Sequence, residues 1–397
     1  MRTNPMSRNA TPIIVLALLV GTASVAAPMA SAADSAAGGV LRVWRDRSGK
    51  HSFEARLKEI QEKAVVLRGA DGRTITVAME RLSLADQKFV RQSRAKEEQE
   101  AAREKGVQLV NPATLHVRVG LEATAQGGPC KNVTCSFPLP MDWPEQKVTI
   151  VKEDKSPLVR LARMQVLNDG VKQCLFQIPR LPADKTAQVA FTLKIERWHI
   201  SPPPMPELFV FARKHDSKLR PFLGESPFIE IRNPLVKSAA DGIELDEGDT
   251  AWRQVETIYD WTRDKVHSDG TKPLKGALGA LTSGTGDCEE RTSLFVAMCR
   301  LKRIPARCVW IEGHAYPEFY LLDDRGHGHW IPCESLGGRN FGGIQRYDPI
   351  LQKGDNFRMS QKSEPQRYVA PTASCMLGPG SGTPVIREIR ENVHGDE

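Results

Sequence analysis

The sequence predicts a multi-domain α+β protein: a small β-barrel, then a β-sandwich, then an α+β core in which a cysteine-bearing helix packs on an antiparallel sheet. Three observations carry this reading. Residues 41–82 break into short alternating runs separated by turn residues, and residues 107–235 are strand-like and punctuated by proline. Residues 250–360 then switch to a helical stripe, a second helix opened by glycines, and two strand-like runs that carry histidines.

Ahead of these elements lies a stretch of a different kind. Residues 1–12 contain Arg2 and Arg8 and no acid, residues 13–20 are wholly apolar, and Ala30-Ser31-Ala32 offers small side chains for a signal peptidase. This reads as a secretory signal over 1–32, which places the mature protein outside the cytoplasm, secreted or periplasmic. Its removal leaves 397 − 32 = 365 residues and takes the formal charge from +7 to +5, because two arginines go with it. A chain of that size forms two or three domains. With 40% hydrophobic and 26% charged residues it has an ordinary globular composition. No later apolar run reaches the roughly 18 residues of a membrane span, and no basic block argues for a nucleic-acid partner.

In the first module, the run at 41–44 leads into a turn at Asp46-Arg47-Ser48-Gly49. Residues 53–57 and 64–67 alternate, and Asp71-Gly72 makes a hairpin turn before residues 74–77. Four or five strands in so short a span predict a closed or nearly closed barrel of SH3 size. Ser83-Leu84-Ala85-Asp86 has the S-x-x-D spacing of a helix cap. The following charged run, 91–106, is polar all round and predicts a solvated linker helix. Over 107–235 the segments 114–121, 146–151 and 187–196 alternate clearly, and prolines 138, 140, 144, 179 and 182 mark the connections.

The chemistry is expected in the third segment, assigned to 236–375 with a flexible tail over 376–397. Trp252, Val255, Ile258, Tyr259, Trp261 and Val266 form one helical stripe of core or cleft-wall residues. Gly284-Thr285-Gly286-Asp287-Cys288 then opens a second helix with Cys288 in its first turn. The free N–H groups and dipole of a helix start stabilise a thiolate, so the Cys288 pKa is expected below the usual ~8.5. The same N–H groups can hold an oxyanion. A thiolate that transfers acyl groups also needs a proton shuttle. His314 is the candidate base and Glu334 the candidate orienting carboxylate, on adjacent antiparallel strands. They share a sheet face only if the connecting loop has an odd number of residues or the pairing is bulged.

Two alternatives compete for these residues. His327 and His329 are rival bases, and Cys308, His314, His327, His329 and Cys333 lie close enough in sequence to hold zinc. The eight cysteines of an exported chain also allow disulfides, with Cys130 and Cys135 close enough in sequence to bridge a loop and Cys308 and Cys333 candidates for neighbouring strands, although a working Cys288 must stay unpaired.

Two resemblances sharpen the expectations. Trp44, Asp46, Gly49 and Lys50, the run from Asp71 to Val77, and Leu82, Ser83 and Asp86 make residues 41–90 resemble a Sla homology domain 1. That resemblance implies a barrel that binds a peptide or protein ligand. Residues 286–307 (GDCEERTSLFVAMCRLKRIPAR), 314–321 (HAYPEFYL) and 329–335 (HWIPCES) resemble, in order and spacing, the Cys, His and Asp boxes of the transglutaminase-like branch of the papain-like cysteine enzymes. The preceding β-rich segment is similar to the sandwich found before many such cores. This resemblance implies Cys288 as nucleophile, His314 as general base and acid, and Glu334 where the family mostly has Asp, with no metal or cofactor. The expected activity is cleavage of peptide or amide bonds through a thioester, with hydrolysis favoured over cross-linking. The competing expectation is a non-catalytic surface scaffold with a degenerate core.

Overall fold

The computed structural model describes residues 40–213, 216–270, 274–359 and 362–393. The secretory signal expected over 1–32 lies outside the described residues. The chain divides into two compact units, residues 1–96 and 97–397.

In the first unit, β1 (Arg42–Arg45), β2 (Ser52–Ile60), β3 (Ala64–Gly69) and β4 (Thr74–Ala78) form an antiparallel sheet in sequence order. An isolated bridge between Asp46 and Leu82 ties the end of β1 to the segment after β4. The sheet's buried face gathers Trp44, Ala55, Val65, Leu67, Leu82 and Val90 into a small core. Trp44 is fully enclosed, and its indole N–H donates to the Ala55 carbonyl at 3.0 Å, so burial leaves no orphan donor. The S-x-x-D signal works as read. The Asp86 N–H donates to Ser83 Oγ at 3.2 Å, and Asp86 also accepts from the Arg45 N–H and from Arg42. Helix α1 (Leu84–Lys105) follows the cap and runs on through the charged stretch expected as the linker helix.

The second unit begins with six strands: β5 (Gln108–Gln126), β6 (Cys130–Leu139), β7 (Gln146–Lys155), β8 (Leu161–Leu167), β9 (Val171–Leu181) and β10 (Thr186–Ser201). Helices α2 (Pro234–Asp241) and α3 (Ala251–Lys265) come next. They are followed by β11 (His267–Ser268), α4 (Gly276–Ser283), β12 (Thr285–Gly286) and α5 (Cys288–Leu301). Strands β13 (Ala306–Ile311), β14 (His314–Leu322), β15 (Gly328–Pro332) and β16 (Ile350–Lys353) make one antiparallel sheet in the order β15-β14-β13-β16. The chain ends with β17 (Thr372–Met376) and β18 (Thr383–Asn392).

β18 corrects the flexible tail expected over 376–397, and β17 lies almost wholly in the segment assigned to the core, 236–375. β17 pairs with β6 and β18 pairs with β5, giving two four-stranded sheets ordered β17-β6-β9-β8 and β18-β5-β10-β7. Both sheets contribute to one hydrophobic cluster that includes Val119, Leu121, Phe137, Phe176 and Phe191. The tail looks polar because β18 is an edge strand that fully buries only Ile389.

The two-sheet region and the α+β core are joined by buried charge. Lys353 on β16 reaches Glu145, ahead of β7, at 2.6 Å and also pairs with Glu318 on β14, which in turn holds Arg307 at 2.7 Å. Gln146 accepts from the Ile350 N–H and donates to the Ile350 carbonyl. Within the core, α5 packs against β14, and Phe295, Phe319, Trp252, Tyr259 and Phe341 interlock beneath the candidate site. Arg300 and Asp355, 0% and 1% exposed, lock the far end of α5 to the sheet at 2.8 Å.

Candidate active site

Helix α5 begins with a full capping box. Asp287 accepts from the Glu289 N–H at 2.8 Å, and the Glu290 carboxylate reaches back to the Asp287 N–H at 3.2 Å. Glu290 Oε1 also accepts from the Lys275 N–H at 2.9 Å, which ties α4 to the start of α5. The turn needs glycine at 286, where an added Cβ would lie 2.3 Å from Glu290 Cβ. Cys288 therefore sits at the first helical position, 8% exposed, where its own N–H has no partner within the helix.

Opposite the helix start, β14 begins at His314. The Ala315 N–H faces the Cys288 sulfur and favours its ionised form. The Ala315 carbonyl accepts from Ser335 Oγ at 2.7 Å and from Thr292 Oγ1 at 3.2 Å. One peptide unit of β14 is thereby fixed to the helix that begins at Cys288 and to the segment that carries Glu334. The β14–β15 connection spans residues 323–327, an odd number, and Glu318 stands opposite Pro332. That register meets the parity condition for His314 and Glu334. Their side chains meet, with His314 Nε2 2.7 Å from Glu334 Oε1.

The second carboxylate oxygen of Glu334 accepts from Arg346 Nε at 2.8 Å, and the Leu336 N–H donates to the first at 3.2 Å. Burial by itself would raise the Glu334 pKa. The hydrogen bonds from His314 and Arg346 outweigh it and hold the carboxyl at about 2, so the group is ionised throughout the neutral range. The backbone of Glu334 is anchored too: Tyr259 OH on α3 donates to its carbonyl at 2.9 Å, and Arg263 binds the Gly337 carbonyl at 2.6 Å. Tyr259, read from the sequence as core or cleft wall, is thus also the tether of the carboxylate-bearing segment.

The thiol overturns one expectation. Burial first, and then the negative charges of Asp287 and Glu289, push the Cys288 pKa up to about 11 against the opposing effect of the Ala315 and Cys288 N–H groups. The helix start that offers free N–H groups also brings two carboxylates, so the resting side chain is a neutral thiol. Among the described residues no direct hydrogen bond links its sulfur to the His314 ring.

The rival assignments separate. His329 Nε2 lies 3.1 Å and His327 Nδ1 3.4 Å from Asp323 Oδ2, so both rings address the β14–β15 turn instead of Glu334. Among the described residues no three His, Cys, Asp or Glu side chains converge as a metal site. All eight cysteines are thiols. Cys130 and Cys135 lie on the single extended strand β6, about 16 Å apart at ~3.3 Å per residue. Cys308 on β13 and Cys333 just beyond β15 are separated by β14, so they are not on neighbouring strands. A cavity of about 490 Å³ lined by Phe222, Arg307, Tyr320, Trp330 and Lys353 contains none of Cys288, His314 and Glu334. Sequence reasoning missed Arg346, a single arginine in an irregular loop with no motif around it.

Comparison with known proteins agrees with the two regions already distinguished. Residues 237–335 match the transglutaminase-like superfamily core, and residues 33–98 match the SLA1 homology domain 1. No curated protein matches the chain in sequence. Among solved structures, a cysteine protease candidate from Cytophaga hutchinsonii is 17% identical, with a TM-score of 0.47, over 73% of this chain and 94% of its own. A protease candidate from Parabacteroides distasonis is 15% identical, with a TM-score of 0.21, over 58% of this chain and 49% of its own. Cys288, His314 and Glu334 all lie within the segment that matches the transglutaminase-like superfamily.

Proposed function

We propose that this protein is an exported cysteine hydrolase that cleaves peptide or amide bonds, with Cys288 as nucleophile, His314 as proton shuttle and Glu334 as the orienting carboxylate. The observation that carries the proposal is the 2.7 Å contact between His314 Nε2 and Glu334 Oε1, beside a cysteine at the first position of a helix. With Nε2 held by an ionised carboxylate, the neutral imidazole keeps its proton there and offers Nδ1 as the base. Because the resting sulfur is a thiol, His314 Nδ1 takes its proton as the sulfur attacks the substrate carbonyl carbon. The tetrahedral oxyanion is met by the Cys288 N–H at the helix start. The imidazolium then protonates the leaving amine, and a thioester forms on Cys288. Water attacks that thioester with His314 again as base, releasing the acid and restoring the thiol.

The first unit serves as the protein-binding module, which brings the enzyme to a peptide or protein partner. Hydrolysis is favoured over cross-linking, and the address is outside the cytoplasm. A second reading, a non-catalytic scaffold, is favoured by the raised thiol pKa. The two are separated by incubating the full chain with a peptide library and excess methylamine and reading the products by mass spectrometry. New free carboxyl ends, absent with Cys288→Ala, support the hydrolase. Methylamides in their place support transfer, and identical spectra for parent and variant support the scaffold.

A further inference from the structure

The loop that carries Arg346 is unusually well fixed for a connection without secondary structure. Ile344 exchanges two backbone hydrogen bonds with Ile200 on β10, at 2.8 and 2.9 Å. The Tyr347 ring stacks on His199 with centroids 4.0 Å apart, and its hydroxyl donates to the Asn111 carbonyl on β5 at 2.9 Å. Arg197, fully buried, donates to the Asp348 carbonyl at 3.4 Å. Residues 344–348 are thus pinned to the two-sheet region at Ile344, Tyr347 and Asp348, and Arg346 projects from between these points onto Glu334.

We propose that Arg346 is a positioning residue through which the two-sheet region orients the His314–Glu334 pair, and that it is what allows glutamate to serve in this place. The inference rests on the proposed thiol chemistry at the same site. A glutamate has one more rotatable bond than an aspartate, so its carboxylate needs a second fixed point. Arg346 Nε supplies that point by occupying Oε2, which leaves Oε1 for His314 Nε2. With the carboxylate plane set, the ring is held with Nδ1 free. Among the described residues Arg346 has no hydrogen bond to the Cys288 sulfur or the His314 ring, so it acts through Glu334. The charged or titratable groups facing Glu334 are His314 from β14, Arg346 from the loop, Tyr259 and Arg263 from α3 and the buried Cys333 thiol beside it.

The test uses the full chain and iodoacetamide as the probe, with the carbamidomethylation rate of Cys288 followed by peptide mass spectrometry from pH 5 to 9. Arg346→Ala is expected to slow the reaction near neutrality about tenfold, the scale of a lost charge-assisted hydrogen bond. Arg346→Lys, which keeps a cationic donor, should restore most of the rate. Glu334→Gln should slow it similarly, and Arg346→Ala combined with Glu334→Gln should be no slower than Glu334→Gln alone. The inference is overturned if Arg346→Ala stays within twofold of the parent, or if the two losses multiply in the double variant. His314→Ala separates the two levels of the argument. If it too reacts at the parent rate, the proposed chemistry fails; if it is slow while Arg346→Ala is not, only the role of Arg346 fails.

Discussion

Replacing Glu334 by glutamine keeps the shape of the side chain and removes the charge that His314 and Arg346 both address, so its effect should depend on pH in a calculable way. The folded carboxyl titrates at about 2 against an ordinary value of 4.5. Because the folded pKa is the lower one, the ionised group stabilises the fold above pH 4.5, and that stability is lost as pH falls through 2. A gap of about 2.5 pH units corresponds to ~3 kcal/mol at neutrality, of which ~2 kcal/mol disappears between pH 7 and pH 3. Arg346 is 35% exposed, and solvent reaching the pair from that side screens part of this, leaving about 1–2 kcal/mol over the same window. Urea unfolding of parent and Glu334→Gln at a series of pH values reads the difference directly. The stability gap between them should narrow by that amount from pH 7 to pH 3. A gap that is constant with pH would refute the claim that His314 and Arg346 hold the carboxylate ionised.

The remaining expectations concern the frame around the site. Asp355→Ala leaves the fully buried Arg300 guanidinium without its carboxylate and should cost about 3–5 kcal/mol in chemical denaturation. Ending the chain after Gly382 removes β18 and the buried Ile389, and should lower the stability of the second unit by at least about 2 kcal/mol in the same assay. Gly286→Ala forces a Cβ into Glu290 and disrupts the capping box. A lower melting temperature together with slower Cys288 alkylation is expected, and an unchanged protein on both measures would show that the turn relaxes freely.

The parts of this molecule written in local pattern were legible. Alternation located strands around residues 114–121, 146–151 and 187–196, and the S-x-x-D spacing marked the start of α1. Glycines followed by Asp287 and Cys288 announced the start of α5, and counting residues between His314 and Glu334 stated the condition under which they could meet. What escaped depends on contacts distant in sequence. The residues of β18 gain their partner only when β5, more than 250 positions earlier, is already in place. Arg346 acquires its role from where residues 344–348 dock on β10, which no spacing encodes. The expected fall in the Cys288 pKa considered the helix start alone, whereas burial and two neighbouring carboxylates act on the same sulfur and prevail.

The central claim is that His314, steadied by Glu334, activates the Cys288 thiol toward a carbonyl. It is tested most directly by the acetylation of Cys288 with p-nitrophenyl acetate, read as nitrophenol release and as the mass of the Cys288 peptide. The account predicts rapid acetylation confined to Cys288, followed by slow hydrolysis, and a loss of at least about 100-fold in the acetylation rate on His314→Ala. Acetylation spread evenly over the cysteines, or an equal rate in His314→Ala, would contradict it.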